Sequence, residues 1–478
     1  MQDEVRPTKS VAEGDAGPLL DASAKRTLLW LVAFSFFMQM LDSTIVNTAT
    51  PSIAVSMGIE PLGLKTALTS YTLSLAIFIP ISSWLADHFG TRRVFWNAIL
   101  IFTLGSLACG LSENLWMLVI ARIAQGLGGA MMLPVGKLAL VRAFDKSEFV
   151  NAMSMATIPG LIGPAFGPLL GGLFSTYLSW RMIFFVNIPF GIVGLFLARK
   201  HMPDYRGPPN VPLDFLGFAI FAAGIGCVSA AMDQLADANY RVAVPLALLG
   251  LAALVAYTLR SRRVTAPIVN LALLRINTFR IAFVGGFATR LGVGGIYFLL
   301  TLLFQVGLGY SAVVAGLLQI PQALAMILMR FFASSILKRQ GYRRVLTINT
   351  ALAGLLIMLF ATITAATPLW LVCVQVFVYG FVMSLQYTAL NTLGFVDLLP
   401  AQASMGSSMT STSQNLSMSF GIAFASVLMA IFIGNTHTGE QYGAAFHDTV
   451  LVLGVTTLLS TLLFRGLAKR TPVLPSMA

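Results

Sequence analysis

Asp42 is the only acidic residue that lies well inside a long apolar run of this sequence. The run begins at Thr27 and reads FFMQMLDSTIVNTATP over residues 36–51. A carboxylate in hydrocarbon is costly, and such residues usually face a polar interior or an ion pathway. We therefore interpret Asp42 as a functional residue.

Arg122 is the predicted partner of Asp42. At 1.5 Å per helical residue, Asp42 lies roughly 22 Å from the inner edge of a hydrocarbon core about 30 Å thick, and Arg122 roughly 10 Å from the outer edge. The two side chains are thus at nearly the same depth. Burial favours the protonated form of a carboxylic acid, whereas a nearby Arg favours the ionised form. A site that alternates between these settings binds and releases a proton. The alternative is a static pair that ties two helices together.

Arg290 lies near mid-membrane in the second half of the chain. We predict that it contacts an anionic group of a substrate; the alternative is an Arg bonded to neighbouring carbonyls. One acidic residue against two Arg at this depth favours an organic acid or a weakly charged amphiphile over multivalent cations. Seven polar residues are predicted to face a central cavity, although interhelical hydrogen bonds are the alternative for more than half of such positions. They are Gln39, Asn47, Gln125, Arg290, Tyr297, Gln386 and Asn391.

These residues require spanning helices to position them. The 478 residues are 57% hydrophobic and 10% charged, against about 25% charged in soluble proteins. Unbroken apolar runs of about 20 residues predict helices and exclude the alternating strands of a β-barrel. The sequence predicts an all-α polytopic membrane protein with fourteen spans, grouped as six, two and six. The predicted divisions are a tail (1–26), a six-helix bundle (27–198), a linker with two spans (199–278), a second six-helix bundle (279–465) and a tail (466–478).

The distribution of charge sets the orientation. With both termini cytoplasmic, most of the 30 Lys and Arg fall in cytoplasmic segments, as expected for a multi-pass protein. This accounts for the net charge of +12 and argues against a nucleic-acid partner. Enzyme activity is not expected, because the four His lie in loops and the spans contain no clustered nucleophile, base or metal ligands. No metal site or cofactor is predicted.

A short cytoplasmic turn follows the second span. Residues 83–93 read SWLADHFGTRR, and the sequence LKRQGYRRV at 337–345 repeats a Gly followed by two Arg at the corresponding place in the second half. Repeated halves are usual in transporters that bind substrate between them. We predict that Asp87 accepts from a facing helix end or Arg and latches the two halves. The predicted gating residues here are Asp87, Gly90, Arg92 and Arg93.

The fifth span carries a stripe of small residues. Residues 160–172 read GLIGPAFGPLLGG, with Gly163, Gly167 and Gly171 at every fourth position beside Pro164. Such a face suits close helix packing and sliding.

Five segments together carry a family resemblance. They are the two just described, LDSTIVN at 41–47, ARIAQGLGGA at 121–130 and WRMIFFVNIPFG at 180–191. With these segments in their order along the sequence, the chain resembles the fourteen-span drug/proton antiporters of the major facilitator superfamily, typified by EmrB and QacA. The segment at 83–93 departs from the family signature at Ser83, where Gly is usual, and at His88, where Arg is usual.

The resemblance implies two six-helix bundles around a cavity, two inserted helices and export of small molecules driven by proton entry. It also implies the bacterial inner (cytoplasmic) membrane, with protons, lipid and a small-molecule substrate as partners; a periplasmic adaptor is left open. An organic-acid or siderophore-type exporter, and an uptake symporter or uniporter on the same fold, are the alternatives.

Overall fold

A computed structural model describes residues 21–144, 146–207, 212–399, 402–434 and 439–468. Over these residues the backbone is helical with connecting turns and contains no β-strand. The predicted all-α fold is confirmed. Most of the two predicted tails, residues 1–20 and 469–478, lies outside the described residues.

The first half of the chain packs as one group of helices. They are α1 (Ala22–Met57), α2 (Lys65–Phe89), α3 (Thr91–Gly110), α4 (Leu115–Ala143), α5 (Lys146–Tyr177), α6 (Met182–Phe185) and α7 (Asn187–His201). The sequence predicts one unbroken sixth span over 182–198, but the structure breaks it at Val186 into α6 and α7. This break places Asn187 in the first turn of α7.

Two helices follow as a hairpin, α8 (Phe215–Ala236) and α9 (Tyr240–Ser261). Asp214 caps α8 by accepting from the Gly217 amide at 2.9 Å, and the same oxygen accepts from the Arg260 guanidinium at 2.9 and 2.7 Å. The hairpin is therefore joined at the end nearest the linker. It packs against α2 and against a helix of the second half.

The second half contains α10 (Asn277–Val293), α11 (Ile296–Leu302), α12 (Ala312–Leu359), α13 (Leu369–Leu393), α14 (Ala403–Ile433) and α15 (Gly439–Phe464). The predicted ninth span, 279–303, is interrupted between α10 and α11 at Gly294 and Gly295 and ends in a π turn at Leu303–Gly307. Consecutive glycines weaken a helix, so the break falls where helix propensity is lowest.

The repeated Gly–Arg–Arg turns have the same backbone. Gly90, between α2 and α3, has φ 89° and ψ 143°, and Gly341, inside α12, has φ 76° and ψ 158°. This region of φ and ψ is essentially restricted to glycine. Gly341 thus divides α12 into two helices, which correspond to the predicted tenth and eleventh spans. A turn of the same conformation therefore occurs at the corresponding place in each half of the chain.

Twelve segments of the described residues are long and apolar enough to cross a membrane. One of them, Ala312–Thr362, contains the Gly341 break. The chain is a multi-pass membrane protein, and the number of fourteen spans stays a prediction.

The glycine stripe of α5 lies against α1. A Cβ atom added at Gly163 would lie 2.7 Å from the Leu41 amide nitrogen, and one at Gly171 would lie 2.3 Å from the Ile45 carbonyl oxygen. At Gly167 it would meet the Thr44 hydroxyl at 2.2 Å. The stripe therefore lets α5 approach the helix that carries Asp42.

Gly171→Ala is expected to destabilise the protein by about 1–3 kcal/mol, because the added methyl group forces α1 and α5 apart. The matched control is Gly226→Ala in α8, where an added Cβ meets nothing within 4 Å. Thermal unfolding of the detergent-purified proteins measures the effect. Equal unfolding temperatures for the two variants would contradict the packing account.

The two halves touch at the helix ends predicted to be external. Gln305 donates to the Thr48 carbonyl at 2.8 Å, and Tyr442 donates to Glu60 at 3.3 Å. Ser419, near the middle of α14, adds a contact deeper in the interface by donating to the Thr69 carbonyl at 3.2 Å. These contacts close the interface between the halves on that side.

Candidate functional site

Asp42 lies at the centre of a buried polar network. Its side chain is fully buried, and three donors reach its two oxygens. Arg122 donates from Nη1 to Oδ2 at 2.7 Å, Gln125 from Nε2 to Oδ1 at 2.8 Å, and Asn187 from Nδ2 to Oδ1 at 3.0 Å. The predicted contact between Asp42 and Arg122 is therefore present. All three contacts donate to the carboxylate, and one of the donors, Arg122, is a cation.

The partners of Asp42 come from several helices. Arg122 and Gln125 are three residues apart on α4, so they share one face, and Arg122 also donates to Gln125 at 2.7 Å. Ser106 on α3 accepts from Gln125 at 3.2 Å and from Asn187 at 3.1 Å, and donates to the Phe184 carbonyl at 2.9 Å. The network joins α1, α3, α4 and α7.

Aromatic rings cover the guanidinium of Arg122. Its Cζ atom lies 4.0 Å from the ring centroid of Tyr71 and 5.8 Å from that of Phe184. Only 2% of Arg122 and 1% of Tyr71 is exposed. Cation–π contacts of this kind are stronger when they are desolvated. Arg122 is thus held from one side by a carboxylate and from another by a ring.

Asp42 is closed off from solvent in this conformation. It has no exposed surface, so bulk water does not contact the carboxylate. Its attraction to Arg122 depends on its negative charge, so a change of charge at Asp42 would weaken the contact between α1 and α4.

The structure divides the seven predicted cavity residues. Gln125 belongs to the Asp42 network. Gln386 bridges helices within the second half: it donates to Thr350 at 2.7 Å and accepts from Asn349 at 3.1 Å. Both residues are buried and form hydrogen bonds between helices, which is the alternative to a cavity position.

The other predicted cavity residues lie apart from that network or beside it. Arg290 and Asn391 line one narrow cavity in the second half. Tyr297 is half-buried and donates to the Met326 sulfur at 3.6 Å. Gln39, one turn before Asp42 on α1, is buried and Asn47 is half-buried. Their contact with a substrate stays a prediction.

The predicted gating turn contacts its own half. Asp87 accepts from Arg142 of α4 at 2.7 Å, so within the described residues its ionic partner lies in the first half and no contact across the halves is formed. The sequence prediction placed that partner on a facing element without identifying Arg142. A gating role for Asp87 stays a prediction.

The segment after α7 is bound to the same turn. Arg92 donates to the Met202 carbonyl at 2.5 Å, and Thr91 donates its amide to the Tyr205 carbonyl at 2.9 Å. Arg93 is exposed. A Cβ at Gly90 would lie 2.1 Å from the Asp204 carboxylate, so glycine also permits this docking. Sequence reasoning did not find this contact.

Three residues of the Asp42 network were missed from the sequence. Asn187 and Ser106 donate or accept at its centre, and Tyr71 covers Arg122. The signal for Asn187 was available, because it is the amide within the apolar sixth span and lies inside a recognised motif. Ser106 and Tyr71 carried no comparable signal, since Ser and Tyr are frequent in these spans.

Comparison with known proteins identifies this architecture. A family model described as the Major Facilitator Superfamily matches residues 32–422. A relative from Pectobacterium atrosepticum, named as the multidrug resistance protein MdtD, is 39% identical over 92% of this chain and 95% of its own. An MdtD protein from Salmonella paratyphi A is 39% identical over 92% and 94%. The crystal structure of the POT family transporter PepTSo superposes with a TM-score of 0.68 at 15% identity, covering 92% and 97% of the two chains.

Proposed function

The chain belongs to the Major Facilitator Superfamily, and on that premise we propose that it is a proton-coupled efflux transporter for small organic compounds. The fold supports transport across a membrane, and relatives that cover nearly the whole chain are named multidrug resistance proteins. The observation that carries proton coupling is the buried Asp42–Arg122 contact at 2.7 Å. We place the protein in the bacterial inner membrane with both termini cytoplasmic, since most Lys and Arg then lie inside.

The proposed cycle uses the charge of Asp42. We assign the present conformation, in which the external ends of the halves are in contact and Asp42 contacts Arg122, to the state that has released its proton to the cytoplasm and takes up substrate there. Opening to the outside exposes Asp42 to a higher proton concentration. The proton neutralises the carboxylate, frees Arg122 and allows the return.

The free energy comes from the proton gradient. Asp42 is the only carboxylate near the centre of a span in the described residues, so the proposal has one proton carrier. No cofactor is needed for this cycle.

Everted membrane vesicles test the function. Their outward face is the cytoplasmic one, so an exporter accumulates added compounds inside. We expect accumulation of at least one class in a panel of drugs and organic acids, and loss of it when an ionophore collapses the proton gradient. Accumulation that survives the ionophore, or none beyond that of vesicles without the protein, would contradict the proposal.

A further inference from the structure

In the described part of the second half, one buried positive charge has no counter-charge. Arg290 on α10 is 4% exposed, its Nε atom is buried without a hydrogen-bond partner, and the described residues form no ion pair with it. Its Cζ atom lies 5.4 Å from the ring centroid of Tyr387. Arg122, which is equally buried, has a carboxylate at 2.7 Å. Burying an unpaired charge is expensive, so Arg290 has an unmet requirement for an anion.

Arg290 lies in a narrow cavity between α10, α13 and α14 with walls of two kinds. The apolar lining consists of Phe279, Ala282, Phe283 and Leu390, and the polar lining consists of Arg290, Asn391, Thr410 and Ser413. The Ser413 hydroxyl is buried without a partner in the described residues. Asn391 accepts from Gln414, which leaves its NH₂ group available as a donor. The Arg290 guanidinium, the Asn391 amide and the Ser413 hydroxyl can each donate a hydrogen bond to a group in this cavity.

The cavity extends toward the side from which an exporter is loaded. Phe279 lies in the first turn of α10, near the predicted cytoplasmic end, and Arg290 lies about 16 Å further along that helix. In this conformation the cavity has room for about one water-sized group, and the Phe279 and Phe283 rings stack with their centroids 6.1 Å apart. An apolar body therefore enters only when these side chains move, and it then leaves its polar group at Arg290.

The backbone of Arg290 is held rigidly. Its carbonyl accepts from the Gly294 amide at 2.7 Å, and a Cβ added at Gly421 of α14 would lie 2.7 Å from the same oxygen. Close packing of α10 and α14 at Gly294 and Gly421 therefore restricts the position of the Arg290 backbone. A preorganised guanidinium loses little entropy when it binds a planar or tetrahedral oxyanion.

We propose that this cavity binds the headgroup of an amphiphilic organic anion, a compound with one carboxylate or sulfonate on an apolar body. Arg290 and the Ser413 hydroxyl donate to the oxyanion, and Phe279 and Phe283 contact the apolar part. The inference rests on the proposed export function and specifies its substrate class.

The test compares naphthalene-2-sulfonate with naphthalene-2-sulfonamide. The two compounds share the ring system, but only the sulfonate is ionised, and it does not cross the bilayer unaided. Uptake of each into everted vesicles is measured directly, for the wild-type protein, Arg290→Gln, Arg290→Lys and Ser413→Ala. Arg262→Gln, an exposed Arg after α9, is the control.

Arg290→Gln should raise the KM for the sulfonate by about 10- to 100-fold, because hydrogen bonds to charged groups are lost. The KM for the sulfonamide should change by less than about 2-fold, and Arg262→Gln should leave both unchanged. Arg290→Lys should restore part of the sulfonate affinity, since it keeps the charge without the planar fork. Ser413→Ala should shift only the sulfonate.

Three outcomes overturn the inference. They are wild-type uptake of the sulfonamide without the sulfonate, an equal loss of both compounds in Arg290→Gln, and an unchanged sulfonate KM in that variant. Uptake of neither compound, together with no substrate in the wider panel, would instead overturn the proposed function.

A binding measurement tests the site even in a variant that binds the ligand but does not complete the transport cycle. The sulfonate should raise the unfolding temperature of the purified wild-type protein and of Arg262→Gln, because a ligand that binds only the folded state stabilises it. It should not raise that of Arg290→Gln. An equal rise in Arg290→Gln would contradict the site.

Discussion

Asp42→Asn is expected to reduce gradient-driven accumulation in everted vesicles to the level of vesicles without the protein. Asn has the size of a protonated Asp but cannot release a proton. The variant therefore stays in the equivalent of the protonated state and cannot reach the ionised state of the proposed cycle. The variant should still insert and fold, at a cost of about 1–3 kcal/mol, because one amide oxygen replaces two carboxylate oxygens that now accept from three donors.

Exchange of substrate distinguishes a coupling defect from a general one. When substrate is present on both sides and no gradient is applied, Asp42→Asn should still exchange labelled for unlabelled substrate. The matched control is Asp237→Asn, which makes the same change at an exposed carboxylate paired with Lys65. Asp237 is 62% exposed and lies outside the Asp42 network, and its buried partner Lys65 is also close to a second carboxylate, Asp233, so this control should accumulate substrate normally. Full uphill accumulation by Asp42→Asn would contradict the proposed role.

Arg122→Gln is expected to cost about 3–5 kcal/mol of stability, because it leaves the Asp42 carboxylate buried without its cation. Thermal unfolding of the purified variant and of the wild-type protein at the same pH measures this loss.

The double variant Asp42→Asn with Arg122→Gln separates charge from packing. With both charges removed, most of the stability lost in Arg122→Gln should return, whereas transport should stay absent. A static structural pair predicts the same recovery of stability, but with transport restored as well. Stability losses that simply add in the double variant would show that the two side chains do not interact.

The sequence was sufficient to place Asp42 and Arg122 together, because depth along a spanning helix follows from a fixed rise per residue. It also predicted the repeated turn, since glycine alone tolerates the backbone found at Gly90 and Gly341. Both inferences use position along the chain. Small residues at every fourth position likewise predicted that α5 packs closely against a neighbour, but only the structure identifies that neighbour as α1.

The sequence did not show in which direction each side chain points around the axis of its helix. Gln125 and Gln386 were placed in a cavity although both face neighbouring helices. In a spanning helix the lipid-facing and buried sides are both apolar, so polarity does not reveal which way a side chain points. The same limit hid Ser106 and Tyr71, whose roles depend on which helix lies opposite them.

Proton release on substrate binding tests the central claim most directly. Purified protein in weakly buffered detergent solution is mixed with a transported neutral compound, and a pH-indicator dye reports the protons released. At a pH where Asp42 is partly protonated, the wild-type protein should release up to about one proton per bound molecule. Asp42→Asn should bind the compound and release none. Equal proton release by Asp42→Asn would contradict the claim that this carboxylate carries the proton.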